Sequence, residues 1–146
     1  MKNDVKMSPH CEQTEMAVLG CLLTRENVYD EIGAFVKPKY FYNSNHQKLC
    51  RIMLEMIRDE EPLDLVTICS KIAPLKDDYL TPYYISQINT MGMDAIHYTY
   101  YSKKLYELYL LRNVIEKTYK INDKAYETNL DVYELMNETH TEIGKL

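Results

Sequence analysis

The fold of this chain is decided by residues 94–126, which read DAIHYTYYSKKLYELYLLRNVIEKTYKINDKAY. This stretch contains neither proline nor glycine, the two residues that most often interrupt a helix. With Asp94 as its N-cap, it predicts one helix of roughly 30 residues and about 45 Å in length. A helix that is this long for a globular domain must find partners for more than one of its sides.

Apolar and aromatic side chains cover two faces of this long helix. The first face repeats at spacings of three, four and seven residues and comprises Tyr98, Tyr101, Leu105, Leu108, Ile115 and Tyr119. The second face comprises Leu110, Leu111, Val114, Ile121 and Ala125. We expect one face to pack on the last helix of the chain, and the other on the rest of the domain or on another subunit.

A final helix is indicated from Asp131 to about Ile143. Asp131 and Glu134 have the spacing of a capping box, and Leu130 and Leu135 stand where a hydrophobic staple would place them. The long helix and this last helix together predict an antiparallel hairpin over residues 94–146. The chain is thus expected to form a single domain, residues 1–146, in which a helical body of residues 1–92 precedes the hairpin.

The body shows helical periodicity and no alternating strand pattern, so the predicted fold class is all-α. A first helix combines an apolar stripe with a stripe of small residues around Gly20, which indicates that another helix approaches closely there. A short helix follows Asn27 and ends at Pro38. Three further helices are expected after Asn43 or Ser44, after Asp64 and after Thr81, because each of these residues can serve as an N-cap. Pro74 ends the second of these three helices, and Pro82 is well suited to the first position of the third.

Composition excludes several classes of function. The chain has 146 residues, is 46% hydrophobic and 27% charged, and carries a formal net charge of -5, which is the balance of an ordinary globular protein. Residues 1–93 hold 10 basic and 13 acidic side chains, and residues 94–146 hold 7 and 9, so neither half is a basic nucleic-acid-binding module. We therefore expect contact with DNA to be indirect only. The sequence has no apolar run long enough for a membrane span and no secretory leader pattern, so a cytoplasmic location is expected.

Two patterns could suggest chemistry, and neither predicts a catalytic residue, a metal site or a cofactor. His46 and Cys50 lie four residues apart and could bind a metal with His10 and Cys11, but these spacings match no established zinc motif. The paired acids at 60–61 and 77–78 are adjacent in sequence, so their side chains point apart and are typical of a solvated surface. The four cysteines are far apart and fit buried small side chains rather than disulfides.

Four short motifs, in order along the chain, resemble the N-terminal region of DnaB-family replicative DNA helicases. Residues 9–15 (PHCEQTE), with VLG at 18–20 and LL at 22–23, resemble the family opening P-H-S-x-E-A-E-x-x-V-L-G-x-L-L. Phe41-Tyr42 with His46 is similar to F-Y-x-x-x-H, and residues 62–67 (PLDLVT) are similar to P-I-D-x-V-T. Leu111-Arg112 resembles the L-R of the first hairpin arm. The chain departs from the pattern at residues 11, 13 and 14, so its first helix is expected to be less firmly capped.

The resemblance implies an N-terminal collar. In that family, hairpins of neighbouring subunits pair, dimers associate into a three-fold ring, and a DnaG-type primase uses the surface. The family motor is a RecA-like ATPase with a P-loop, and the only Gly-Lys pair here is Gly144-Lys145, which lies outside any such motif. We therefore expect that the ATPase motor, with its ATP and Mg²⁺, is absent from this chain.

The predicted interface lies on the long helix, because tyrosine and large apolar residues are favoured at protein interfaces. Its candidate residues are Tyr101, Leu105, Leu108, Tyr109, Arg112, Ile115 and Tyr119. Arg112 permits two interpretations. It could pair with Glu138 or Glu142 on the last helix and fix the register of the hairpin, or it could cover apolar surface with its stem while the guanidinium stays in water.

The leading hypothesis is a non-catalytic module that forms a homo-oligomer, as a dimer or a ring, and docks a primase or another replication protein. A second hypothesis is the helicase-binding C-terminal domain of a primase, which has a related helical body and hairpin. A third, from a different class, is a small metal-dependent hydrolase that uses the histidine and cysteine residues.

Overall fold

A computed structural model describes residues 6–127, 129 and 131–146 of the chain. Within these ranges it contains seven α-helices and no β-strand, so the predicted all-α fold is confirmed. The helices are α1 (Glu12–Thr24), α2 (Val28–Ile32), α3 (Ser44–Arg58), α4 (Leu65–Ile72), α5 (Pro82–Asp94), α6 (Tyr98–Ala125) and α7 (Val132–Gly144). Three short 3₁₀ turns, Gly33–Phe35, Pro38–Tyr40 and Ala73–Leu75, lie between them.

Helix α1 is the centre of the body. Every residue from Ala17 to Leu23 is buried, and the helix packs most extensively against α5. The two helices cross at Gly20 and Gly92, where a Cβ atom on Gly20 would lie 2.5 Å from the backbone nitrogen of Gly92. The close approach that Gly20 predicted is thus confirmed, and α5 supplies the second glycine.

Local capping explains where the middle helices begin. The Asn43 side chain accepts hydrogen bonds from the first turn of α3, and the Thr81 hydroxyl accepts one from the backbone of α5. Asp64 forms a capping box with Thr67 at the start of α4. Cys11 stands at the N-cap of α1, and its side chain accepts no capping hydrogen bond from the backbone of the helix. Its departure from the family pattern predicted this weaker cap.

The junction between α5 and α6 differs from the sequence prediction. Asp94 is the last residue of α5, not the N-cap of the long helix, and α6 begins at Tyr98. The reason is a contact between residues distant in sequence. Arg25, which follows the last residue of α1, donates hydrogen bonds to the carbonyl oxygens of Ala95 at 2.9 Å and Gly92 at 3.4 Å. A cation at a helix C-terminus is favourable, and it fixes the end of α5, which three residues separate from the start of α6.

Helices α6 and α7 form the predicted antiparallel hairpin. Lys117 faces Glu142 and Lys124 faces Glu138. The residue numbers rise along one arm as they fall along the other, so the two arms are antiparallel. Asp131 caps α7 by accepting hydrogen bonds from the first turn. The staple predicted from Leu130 lies outside the described residues. With 28 residues, α6 extends well beyond the body, and its buried residues lie in its first half.

Candidate interaction surface

The seven predicted interface residues occupy three different environments on α6. Leu105 is buried, with 1% of its surface exposed; the half-buried members are Tyr101, Leu108, Tyr109 and Arg112; the exposed members are Ile115 and Tyr119. Leu105 belongs to the core of the chain itself, since a side chain at that depth cannot reach another molecule. We therefore leave Leu105 out of the candidate surface.

The tyrosines of the first half of α6 pack against the body. The ring of Tyr40 lies 4.9 Å from that of Tyr106 and 4.8 Å from that of Tyr109, measured between centroids. Phe35 adds a tilted contact with Tyr106. These are favourable geometries for aromatic pairs, so Tyr106 and Tyr109 attach α6 to the body.

Arg112 has neither of the two arrangements expected from the sequence. Its guanidinium donates hydrogen bonds to the carbonyl oxygens of Pro9 and Tyr40, each at 2.8 Å, and lies over the ring of Tyr42 at 5.7 Å. It makes no pair with Glu138 or Glu142, whose partners are lysines. Desolvation lowers the pKa of Arg112 from its usual range. Arg112 thus joins α6 to the chain before α1 and to the 3₁₀ turn before α3.

Large apolar side chains remain exposed on both arms of the hairpin, and we call this set the hairpin face. Its members, with their exposed fractions, are Leu111 (51%), Ile115 (50%), Tyr119 (70%) and Tyr126 (80%) on α6, and Val132 (63%), Met136 (63%) and Ile143 (51%) on α7. Spacings of three, four and seven residues place side chains on the same side of a helix. The sequence prediction did not include the α7 residues of this face. The spacings of four and seven residues between 132, 136 and 143 could have indicated that these side chains share one side of the helix.

The two arms of the hairpin are separated by a groove of about 880 Å³, which charged, amide and apolar side chains line together. Lys117 lies 3.8 Å from Glu142, and Lys124 lies 2.7 Å from Glu138. All four side chains are substantially exposed, and ion pairs of this kind contribute little to stability. Ile121 of α6 and Leu135 of α7 are half-buried in the groove.

His46, considered above as a metal ligand but not predicted as one, lies in a buried polar network. Its Nδ1 is 2.8 Å from Oε1 of Glu15, and its Nε2 is hydrogen-bonded to the Tyr84 hydroxyl. Glu15 also accepts hydrogen bonds from the backbone N–H groups of Tyr42, at 2.9 Å, and Asn43, at 3.2 Å. The network joins α1, α3 and α5, and nothing in the spacing of its members along the chain revealed that they meet.

The remaining residues of that metal hypothesis do not converge on His46. Across residues 6–127, 129 and 131–146, no group of three or more histidine, cysteine, aspartate or glutamate side chains is arranged to hold a metal ion. His10 stacks on Tyr42, at 4.0 Å between ring centroids. Burial raises the pKa of the Cys50 thiol to about 12, so Cys50 is a protonated core residue.

The acidic pairs have structural roles at the surface. Asp77 accepts a hydrogen bond from Lys48 at 2.6 Å, and the same carboxylate accepts from the backbone N–H groups of Tyr79 and Leu80. The hydrogen bond from Lys48 and those two backbone donors lower the pKa of Asp77 to about 2. In the other pair, Glu61 accepts a hydrogen bond from Lys71. None of the helices in the described part of the chain is long and apolar enough to cross a membrane.

Comparison with known proteins identifies the fold and the family. Residues 7–107 match the model of the DnaB-like helicase N terminal domain. Over 97% of the present chain, the sequence is 25% identical to the replicative DNA helicase DnaB of Rhodothermus marinus. Over 94% of the present chain, it is 28% identical to the replicative DNA helicase DnaC of Bacillus subtilis (strain 168). It spans 15% and 31%, respectively, of the length of these two relatives.

A structural comparison agrees with the sequence matches. The crystal structure of the N-terminal domain of DnaB helicase from Mycobacterium tuberculosis superimposes with a TM-score of 0.85 at 23% identity, over 96% of this chain and 100% of that one. These matches favour the helicase over the primase alternative. They concern the helicase N-terminal domain, and the chain contains no P-loop of the family motor. The chain belongs to the family of DnaB-like helicase N-terminal domains.

Proposed function

We propose that this chain is the collar of a replicative DNA helicase, in which the hairpin pairs with the hairpin of a second copy. The hairpin face is the observation that carries this proposal. Its seven large side chains are between 50% and 80% exposed, and each would contribute about 1.5–3 kcal/mol if fully buried. Large apolar side chains exposed along two neighbouring helices are typical of a protein interface.

A second copy is a suitable partner because the hairpin is nearly neutral. Residues 94–146 contain 7 basic and 9 acidic side chains, so two hairpins repel each other only weakly. A two-fold dimer would bring the same face of both copies together. This arrangement also leaves the body free for other contacts. In this proposal, residues 1–92 form the body and residues 94–146 form the hairpin.

The body supplies a second surface, to which a primase or another replication protein would dock. Leu75, Tyr79 and Tyr83 are 50%, 69% and 73% exposed, and they lie between α4 and the first turn of α5, far in sequence from the hairpin. Tyrosine is enriched in the centres of protein interfaces. In this proposal the chain carries no cofactor, DNA is contacted through the assembled ring, and ATP and Mg²⁺ act in the motor domain.

Charge substitution on the hairpin face tests the assembly. In Ile115→Lys and Tyr119→Lys, a lysine would have to be buried against a second copy, so both variants should elute as monomers in size-exclusion chromatography with light scattering. Val66→Lys is the matched control, because Val66 is 73% exposed on α4 and lies outside the hairpin. Dispersed methyl NMR signals from the buried Ile85 and Ile88 would show that the body remains folded. A Tyr119→Lys chain with the same mass as the wild type would refute the assignment of this face.

Docking is tested separately from assembly. Pull-down with a primase fragment should capture the wild-type chain, and Tyr79→Ser with Tyr83→Ser should weaken capture without changing the oligomer mass. Capture of a helicase ring in place of primase would support the second hypothesis of a primase domain. Stoichiometric metal in the native protein would support the hydrolase hypothesis.

A further inference from the structure

We infer that α7 is a stable helix only while the hairpin is paired with a second copy, so that folding of α7 and association of two chains are one coupled step. The inference rests on the proposed function, because the second copy is the partner that completes α7. It adds a coupling between folding and association that the assembly alone does not require. A single chain gives α7 less support than a second hairpin would provide.

Within one chain, α7 receives little support. None of its 13 residues is buried, and the least exposed are Leu135, Thr139 and Glu142, which are half-buried. Isolated helices shorter than about 12–15 residues are marginal in water even when they are rich in alanine. The α7 sequence, VYELMNETHTEIG, contains no alanine and several residues of modest helix propensity, and it ends on glycine. Its intrinsic stability is therefore low.

The contacts between α7 and α6 do not compensate for this low stability. The ion pairs Lys117–Glu142 and Lys124–Glu138 join side chains that are 28–49% exposed, where solvent screens the attraction. The groove between the arms, about 880 Å³, is lined largely by charged and amide side chains. In globular proteins, most helix stability comes from packing of an apolar face, and this interface offers little of it.

A second hairpin would supply the missing apolar packing. Val132, Met136 and Ile143 are the α7 members of the hairpin face, spaced by four and seven residues. Leu111 and Ile115 on α6 are separated by four, so both arms follow the period by which helices pack side by side. Two such hairpins make four helices, in which each arm can bury its apolar stripe. The near-neutral charge of residues 94–146 permits the pairing of two identical copies.

Thermodynamic linkage provides the first test, with the full chain. Asn137→Ala with Thr141→Ala raises the helix propensity of α7 at two exposed positions outside the hairpin face. If α7 must fold in order to associate, the double variant should lower the dimer dissociation constant about 25-fold, since α7 becomes about five-fold easier to fold in each of the two chains. Ser70→Ala is the matched control, because Ser70 is exposed within α4 and its substitution should leave the dissociation constant unchanged. An unchanged constant in the double variant would overturn the coupling.

Hydrogen exchange provides the second test. In the assembled wild type, the α7 amides should be protected, whereas in monomeric Ile115→Lys they should exchange at nearly the rate of an unfolded peptide while α1 stays protected. The substitution lies in α6, so it does not alter α7 directly. Equal protection of α7 in both proteins would overturn the coupling and leave the proposed assembly intact. A wild-type chain that is monomeric at every concentration would overturn both.

Discussion

Replacement of Gly20 by alanine tests the helix crossing at the centre of the body. Two effects oppose each other. Alanine stabilises a helix interior by about 1 kcal/mol relative to glycine. However, the new Cβ atom would lie 2.5 Å from the backbone nitrogen of Gly92 and would collide with the carbonyl oxygen of Ile88. Both neighbours are backbone atoms of α5, so no side-chain rotation relieves the contact, and the two helices must separate.

The steric effect should exceed the gain in propensity. Overpacking of a well-packed core costs typically about 1–3 kcal/mol and occasionally more, and here α1 must move away from the helix with which it shares its largest contact. We place the steric cost at or above the top of that range, which leaves a net loss of about 2 kcal/mol or more in the free energy of unfolding. For a domain of this size, such a loss lowers the melting temperature by roughly 5–8 °C.

Urea denaturation, followed by far-ultraviolet circular dichroism at one fixed protein concentration, measures this loss. Gly144→Ala is the matched control, since a Cβ atom there meets nothing within 4 Å, and its midpoint should stay close to that of the wild type. A Gly20→Ala protein as stable as the wild type would show that α1 and α5 do not cross at these glycines, and the packing described for the body would be wrong.

Three further substitutions probe the polar contacts of the body. Arg112→Ala removes two hydrogen bonds from a cation to backbone carbonyls, and should lower the free energy of unfolding by about 2 kcal/mol in urea denaturation; no loss would mean that these bonds do not hold α6. Glu15→Ala removes the buried acceptor of His46 and of the backbone N–H groups of Tyr42 and Asn43, and a thermal melt should show a loss of about 3 kcal/mol or more; an unchanged melting temperature would argue against the network. Because Lys48 and backbone donors depress the pKa of Asp77 in the folded chain, its contribution is complete above about pH 5 and is lost as the pH falls towards 2. The stability difference between wild type and Asp77→Asn should therefore shrink over that range, and a constant difference would contradict this assignment.

Local chemistry explains which parts of the fold the sequence predicted. Asn43, Asp64 and Thr81 each cap a helix by accepting hydrogen bonds from residues two or three positions ahead. The start of each helix can therefore be predicted from a few adjacent residues. Gly20 predicted a close crossing because glycine inside a helix needs a compensating contact. The motif residues extended this prediction to the family, which the comparisons confirmed.

The incorrect predictions concern partners that are distant in sequence. Asp94 looks like an N-cap by its neighbours, but the interaction of Arg25 with the end of α5 sets the boundary. Arg112 has its hydrogen-bond partners 103 and 72 residues away, so its pattern within α6 could not reveal them. Leu105 and Ile115 belong to one periodic face of α6. Leu105 is buried and Ile115 is exposed because the body covers α6 at the first position and not at the second.

Sedimentation equilibrium of the wild-type chain, from low micromolar to several hundred micromolar, tests the central claim most directly. The hairpin face predicts that the weight-average mass rises with concentration from the 17.3 kDa of one chain to at least twice that value. A mass that stays at 17.3 kDa at every concentration would show that a single copy tolerates its exposed hairpin, and the proposed assembly would be wrong.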